Sequence, residues 1–481
     1  MKIGYFDVAI LGRGLGGIIA ASLLQRRGLK VLILDHKQHS EFDPALCEFL
    51  NGAMIKPVLQ RIGFHPAEIG QLLALDTTSQ LIYPNRRINC YKNLEDLRKE
   101  VERECNDPFL LHFFAEKEKA GNFYLDLFYR KFQIPKFKWF RKRWIKNNLS
   151  KDYNVDSFEP VPIDVALKKY HIRQDYKILI RALEIGLNSF TTQWTTYSRF
   201  SHLLYQIQEN GFFTPFGVYG FKKILMDKFL ARGGEYHTFD EIKDVKMKGN
   251  QLQGFSLNNS RWDEIILRNA IISGDVSGFT TYFAGNKQIQ KLQSKSDVPV
   301  VGKKAYFLFK IKKILLPYGL KNQGFLFTKD VEYTLYDRRR IPRLIKYVMH
   351  IPKEGQVLPP AFKDVQLDEA VLAVTAFLTH DHTQDENVVR HETIEKLKAL
   401  IPFATHENIH CIQSFVPQDQ RAQGDFREGL IYSENRPSDF GMSGNQLLRN
   451  FSNLYVINDS TYPSLGLDGL ILSADQISHT I

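Results

Sequence analysis

The residues Gly12-Arg13-Gly14-Leu15-Gly16-Gly17 form a GxGxxG run, and Asp35 follows 23 positions after Gly12. Gly12 at this spacing allows a tight turn, Gly14 lets backbone amides approach a diphosphate, and Gly17 permits close packing of helix on strand. A carboxylate at position 35 can accept hydrogen bonds from both hydroxyls of a ribose and repels a 2′-phosphate, which disfavours NADP. The chemistry on offer is recognition of an adenine dinucleotide. The run alone does not separate NAD from FAD.

Such a loop works only between a strand and a helix. Residues 7–11 read as a short apolar strand, 18–27 as an amphipathic helix and 31–34 as a second strand, so the run has the required β-α-β setting. Further on, residues 221–230 read as a helix stopped by Gly233-Gly234. Alternating strands follow from Glu235, joined by a turn at Gly249-Asn250, and an apolar strand at 270–273 ends before Gly274. In this order they form the second half of an FAD-binding domain of the glutathione-reductase-type fold. At the far end, in "NLYVINDSTYPSLGLDGLILSA", an apolar run ends at Asp459 and a glycine-spaced turn precedes another apolar run.

On these blocks, "ILGRGLGGIIAASLLQRRGLKVLILD", "TPFGVYGFKKILMDKFLARGGEYHTFDEIKDVK" and the C-terminal stretch, the chain resembles the FAD-dependent phytoene desaturase and carotenoid isomerase group. That group lies within the amine-oxidase-like flavoprotein superfamily. The resemblance implies FAD as cofactor, with Gly12, Gly14, Leu15, Gly16 and Gly17 as the pyrophosphate loop and Asp35 as the ribose ligand. It implies that Val245 holds the adenine edge through its backbone, and that Asp459 meets the ribitol or pyrophosphate. The turn through Gly466, Gly469 and Leu470 would bring a helix N-terminus to the flavin pyrimidine ring, where its amides favour negative charge. Val245 reads equally well as a packed strand valine.

The activity so implied is desaturation, saturation or isomerisation of a hydrophobic isoprenoid or polyene. Hydride transfer to flavin N5, or transient electron donation from reduced flavin, would be the cofactor's chemistry. The chain departs from the family pattern in three places. Residues 36–57 contain no paired glycines, Asn458 stands where a glycine is usual before the acid, and Ser473-Ala474 replaces Ser-Gly. Two other readings stay open: an amine or other small-substrate oxidase of the same fold, and a non-catalytic lipid-binding or escort protein. No residue is marked as a catalytic acid or base.

At 481 residues the chain exceeds one ordinary core, and 43% hydrophobic with 12% aromatic residues is the composition of a folded protein. Cys47, Cys90, Cys105 and Cys411 lack CxxC spacing and read as free thiols in a reducing compartment. The run "IIAASLL" is much shorter than the roughly 20 residues of a spanning helix. The first strand begins so early that no signal peptide is expected. The protein is expected in the cytoplasm, with peripheral attachment to the inner face of a membrane.

That attachment rests on charge. The net charge is +11, and eight cations lie between Arg130 and Lys146 with no acid among them. Phe137, Phe140 and Trp144 fall on one side of a helix there, which suits an anionic membrane interface. The plainer reading is a helix that buries its rings and leaves its charges in water. Nothing else resembles a nucleic-acid-binding module, so no nucleic-acid partner is expected. "THDH" at 379–382, with His391, His406 and His410 downstream, reads as a polar loop, and no metal is expected.

The expected architecture is α/β: a discontinuous Rossmann-like FAD domain from residues 1–80, 205–290 and 440–481. A mixed-sheet α+β substrate domain comes from 81–204 and 291–439, with "KAYFLFKI", "VLAVTAFLTH" and a helix at "HETIEKLKALI". The basic aromatic segment at 128–148 would face the membrane.

Overall fold

The computed structural model describes residues 2–37, 42–84, 86–104, 211–258, 260–274, 300–327, 344–379, 385–416, 429–434, 451–459, 461–462 and 465–481, with scattered positions between 126 and 206. A seven-stranded sheet organises the nucleotide half. Strand Ile3–Leu11 lies between parallel neighbours Val31–His36 and Glu264–Ser273, with Val8 opposite Val31 on one side and Asn269 on the other. Glu235–Phe239 adds parallel to Val31–His36. The strand Glu264–Ser273 serves two layers along its other edge. Its last residues pair in parallel with Leu454–Ile457, while its first residues open an antiparallel meander through Gln251–Asn258 and Glu241–Lys248.

The period-two alternation of these strands divides their side chains between two cores. Val8, Ile10, Val31 and Ile33 meet the helices Leu15–Arg26, Gly217–Ala231 and Gly466–Thr480, whereas Ala9, Leu11, Leu32 and Leu34 meet the meander. Helix Leu15–Arg26 lies against both other helices. It buries Ile18, Ile19, Leu23 and Leu24, each worth about 1.5–3 kcal/mol when fully removed from water.

The helix begins at Leu15, earlier than the expected residue 18, so Gly16 and Gly17 lie inside it. Glycine is poor in a helix, but here packing demands it. A Cβ on Gly16 would sit 2.3 Å from Ile457 Cγ2, and one on Gly17 would sit 2.4 Å from Ser273 Oγ. The glycines let the helix lie directly on the ends of Glu264–Ser273 and Leu454–Ile457.

The second sheet has nine strands. "KAYFLFKI" and "VLAVTAFLTH" pair directly in it: Val300–Lys312 runs antiparallel to Glu369–Thr379, with Tyr306 opposite Thr375. Leu344–His350 flanks the latter, and Gln323–Phe327 follows, then Thr77–Ile82 in parallel and Arg87–Tyr91. The sheet is mixed, as the sequence suggests. Strand Thr77–Ile82, which an expected boundary at 80 cuts, lies wholly in this second sheet. Helix Glu386–Leu400 covers the far face through Val389, Ile394, Leu397 and Leu400. The near face, with Tyr306, Leu308, Phe325 and Phe377, packs on Phe42, Leu46 and Phe49 of the loop after the second nucleotide strand.

No helix among the described residues is long and apolar enough to cross a membrane. Phe128 is fully buried in the nucleotide-half core beneath the Arg61 guanidinium, 3.8 Å from its ring centroid. Trp144 packs partly buried on the same core, and Tyr129 is exposed. Phe128 and Trp144 thus both contact the nucleotide-half core. Phe137, Phe140 and most of its cations lie outside the described residues.

The helix-strand contact makes a direct test. Gly17→Ala forces a methyl group onto Ser273, and overpacking of this kind costs about 1–3 kcal/mol. Thermal melts should show a lowered midpoint for Gly17→Ala and partial recovery when Ser273→Gly is added; additive losses would contradict the contact.

Candidate functional site

The two sheets leave a cleft between them of about 1430 Å³, counting its open mouth. Gly14, Leu15, Gly16, Asp35, Asp459, Gly466 and Leu470 all line it. The structure thus brings together the two chain ends that the sequence marks. Gly12 turns behind the loop with φ 93°, Gly17 and Gly469 are buried next to the lining, and Val245 faces the meander core opposite Phe255. The lining therefore omits Val245.

Two helix starts open on this cleft, and neither is capped by its own N-cap residue, although Ser273 Oγ accepts from Gly17 N at 3.1 Å in the first. Helix Leu15–Arg26 follows Gly14, and helix Gly466–Thr480 follows Leu465. Uncapped first-turn amides present donors and a positive dipole end, which suit anionic or acceptor groups. Asp35 sits at the end of its strand, 1% exposed, with Tyr236 donating to Oδ2 at 3.0 Å and Arg13 Nε 3.3 Å from the same oxygen. The cleft wall also holds buried groups with nothing to bond among the described residues: the donor Asn51 Nδ2 and the acceptor Gln206 Oε1. An adenine dinucleotide carrying an isoalloxazine ring offers phosphates, ribose hydroxyls and ring groups of both polarities, so the residues present fit FAD.

Asp468 fixes the floor. Its carboxylate is fully buried and accepts from Ala53 N at 3.0 Å, Met54 N at 2.9 Å and Gln206 Nε2 at 3.0 Å, with His202 Nε2 at 2.9 Å. Met54 is the N-cap residue of helix Ile55–Ile62, which has no cap from its own side chain. Asp468 supplies that cap across a separation of more than 400 residues. Asn458, where the resembled family carries glycine, closes a turn instead: Thr461 Oγ1 donates to its Oδ1 at 3.0 Å. Ala474 is buried in the helical core.

The opposite wall is built by the loop after Phe42. Asp43 starts the turn Pro44–Cys47 by accepting from Ala45 N, and Lys222 Nζ lies 2.9 Å from its other oxygen. Burial alone would raise the Asp43 pKa, but Lys222 and Arg13 hold it below the ordinary value. His350 backs the turn, its Nε2–H donating to the Leu46 carbonyl at 2.8 Å. Glu48 follows, bridged to Lys304 at 3.1 Å and to Lys346.

None of these polar groups carries a motif. Some left a trace: Asp43-Pro44 is a helix-start pair, and Lys304 and Lys346 interrupt strands that are apolar on both faces. Asn51, Gln206 and Asp468 have no local signature. Away from the cleft, His391 and His406 stack at 5.0 Å beside Glu395. Lys398 bonds the same carboxylate, so this exposed set forms a closed polar network on the outer helix.

Two outcomes follow from this geometry. Replacing Asp468 by Asn puts an amide NH₂ among donors and should cost on the order of 3 kcal/mol, with faster proteolysis near residues 53 and 206; an unchanged melt would contradict the cap. Burial lowers the His350 pKa to about 4 from an ordinary 6.5. Below pH 6.5 the unfolded chain takes up a proton that the fold refuses, so this contribution is complete above 6.5 and is lost as pH falls through about 4. Its full size is about 3 kcal/mol. Melts across that window should fall less steeply for His350→Gln than for the native chain.

Comparison with known proteins bears on the fold. No protein-family model matches the chain. A 4,4'-diapophytoene desaturase (4,4'-diapolycopene-forming) of Methylomonas sp is 20% identical over 511 aligned residues, spanning 97% of this chain and 93% of the relative. An engineered putrescine oxidase superimposes with a TM-score of 0.54 at 12% identity, covering 99% of each chain. A Rab GDI from Plasmodium falciparum, which is not named for a redox reaction, superimposes with a TM-score of 0.54 at 10% identity, covering 99% of this chain and 98% of the other. The chain has the mixed α/β fold of the FAD-binding amine-oxidase-like oxidoreductases and a full-length resemblance to a desaturase.

Proposed function

We propose that this chain is an FAD-dependent oxidoreductase acting on a hydrophobic isoprenoid or polyene by desaturation, saturation or isomerisation. The observation that carries the cofactor is the pair of helix starts, at Leu15 and Gly466, facing one cleft with Asp35. Phe42, Phe49, Leu187, Val218 and Tyr306 supply apolar walls beyond them, and the full-length similarity to a diapophytoene desaturase supports an isoprenoid.

When bound, FAD supplies hydride or electron transfer. The protein's part is to hold, orient and keep dry. Amides of the first turn at Leu15 hold the diphosphate, Asp35 accepts from ribose hydroxyls, and amides at Gly466 stabilise negative charge on the ring. Asp468 keeps that second helix start in place from behind.

An amine substrate is the second reading. Phe42, Tyr306 and Phe415 group with ring centroids 6.0–6.3 Å apart, a surface on which a cation can sit. Two ammonium groups, Lys304 and Lys346, adjoin that wall and repel a cationic amine. The isoprenoid reading is favoured for that reason. The similarity to a Rab GDI keeps an escort role as the outcome to be excluded.

Purified protein is expected to be yellow, with FAD retained through gel filtration. Asp35→Ala removes charge-assisted bonds worth about 1.5–3 kcal/mol, so its FAD affinity should fall roughly ten- to hundredfold by fluorescence titration. Protein that stays colourless after incubation with FAD would sink both enzyme readings and favour the escort. For peripheral attachment, the cations of segment 128–148 are the proposed contact with anionic lipid on the cytoplasmic face. Neutralising Arg141, Lys142 and Arg143 should weaken flotation with anionic liposomes roughly a hundredfold, at about 1 kcal/mol per cation; unchanged flotation would remove the segment as the anchor.

A further inference from the structure

The cleft holds a charged group that a hydrocarbon substrate does not explain. Lys346 and Lys304 come from different strands, Leu344–His350 and Val300–Lys312, that flank Glu369–Thr379 on its two sides. Lys346 pairs with Thr375 and Lys304 with Phe377, two positions on one pleat row, so both lysines lie on the sheet face toward the cleft. Both meet Glu48 from the loop of the other half. The division of labour between them is unequal. Lys346 is fully buried, bonds Glu48 and the Gly186 carbonyl, and sits over the Phe49 ring.

Lys304 and Glu48 line the cleft itself. An ammonium carries three donors, and Glu48 is the acceptor recorded for Lys304 Nζ among the described residues. Burial opposes ionisation of Glu48, yet the two lysines hold its pKa below the ordinary value. Burial lowers the Lys346 pKa against the opposing pull of Glu48, and a charged Lys346 alone would neutralise that carboxylate. A second ammonium, 3.1 Å from the same carboxylate and on a cleft wall shared with Phe42, Phe49 and Tyr306, costs desolvation that one shared acceptor does not offset.

We infer that the substrate is an amphiphile, an apolar isoprenoid chain bearing a carboxylate, and that Lys304 binds this carboxylate as the specificity-determining residue. The inference rests on the proposed hydrophobic substrate and sharpens its class. A carboxylate meeting Lys304 balances the local set of two lysines on one Glu48, whereas an amine there is repelled and a pure hydrocarbon leaves the ammonium desolvated.

The test uses the full-length FAD-loaded protein with phytanate and methyl phytanate, which share one chain and differ in the charge at its end. Binding is read from the perturbation of the flavin absorbance spectrum and from the thermal shift. Phytanate should bind at least about tenfold more tightly than the ester, one charge-assisted bond's worth of discrimination. Lys304→Gln should remove that preference, and Lys304→Arg should keep it. Equal affinities in the native protein, no binding of either probe, or an unaltered preference in a folded Lys304→Gln variant would each overturn the inference. The native comparison stands even where the variant fails to fold. Failure of the cofactor reading is separately visible as absence of flavin, and the thermal shift still reports the probe preference in that case.

Discussion

The cleft depends on one buried carboxylate. Asp468 lies in the first turn of the C-terminal helix, yet its bonds go to Ala53 and Met54 at the start of helix Ile55–Ile62 and to His202 and Gln206. Three stretches of chain that are remote in sequence share a single anion. A buried carboxylate is tolerated only when its oxygens are satisfied, so these segments can settle only in the arrangement that brings all the donors to it. That arrangement places Gly466 and Leu470 opposite the glycine loop. The same contact explains Gly52, where a Cβ would fall 2.8 Å from Asp468 Oδ1.

Around this anchor the cleft is polarised. Two helix N-termini, Arg13, Lys222 and Lys304 face it, against Asp35, Asp43, Glu48 and Asp459. The charges do not scatter evenly. Asp35 and Asp43 are held by Arg13, Tyr236 and Lys222 near the nucleotide loop, whereas the Glu48 bridge to two lysines lies on the wall made by the second sheet. One end of the space suits phosphates and ribose, and the other suits an apolar chain with a polar terminus. Glu48 also joins the two halves, because it leaves the loop after Phe42 and lands on strands of the second sheet.

Much of the nucleotide half was legible in the sequence, for local reasons. Gly12 to Gly17, Asp35, the Gly233-Gly234 stop and the Gly249 turn act through backbone conformation and hydrophobic period, which neighbouring residues set. Even there the role of a glycine shifted. Gly14 reads as room for a phosphate, and the structure adds that a Cβ on it would strike Ser273 Oγ at 2.5 Å. Val245 had two readings, and its side chain packs in the meander core. Aromatic residues near 128–148 suggest a lipid face, but amphipathic spacing looks the same for a core; Phe128 is buried and Trp144 partly buried against the nucleotide half.

What the sequence determined by itself was the β-α-β loop, the order of the blocks and the alternating strands, because these depend on contacts within a few residues. Tertiary structure alone decided which polar residues share the cleft. Asp468, Asn51 and Gln206 are ordinary residues in ordinary surroundings until the chain returns, and Lys304 and Lys346 become partners only because two strands flank a third in one register. Electrostatic and hydrogen-bond partnership depends on distance through space and on burial, and neither quantity is written in local spacing.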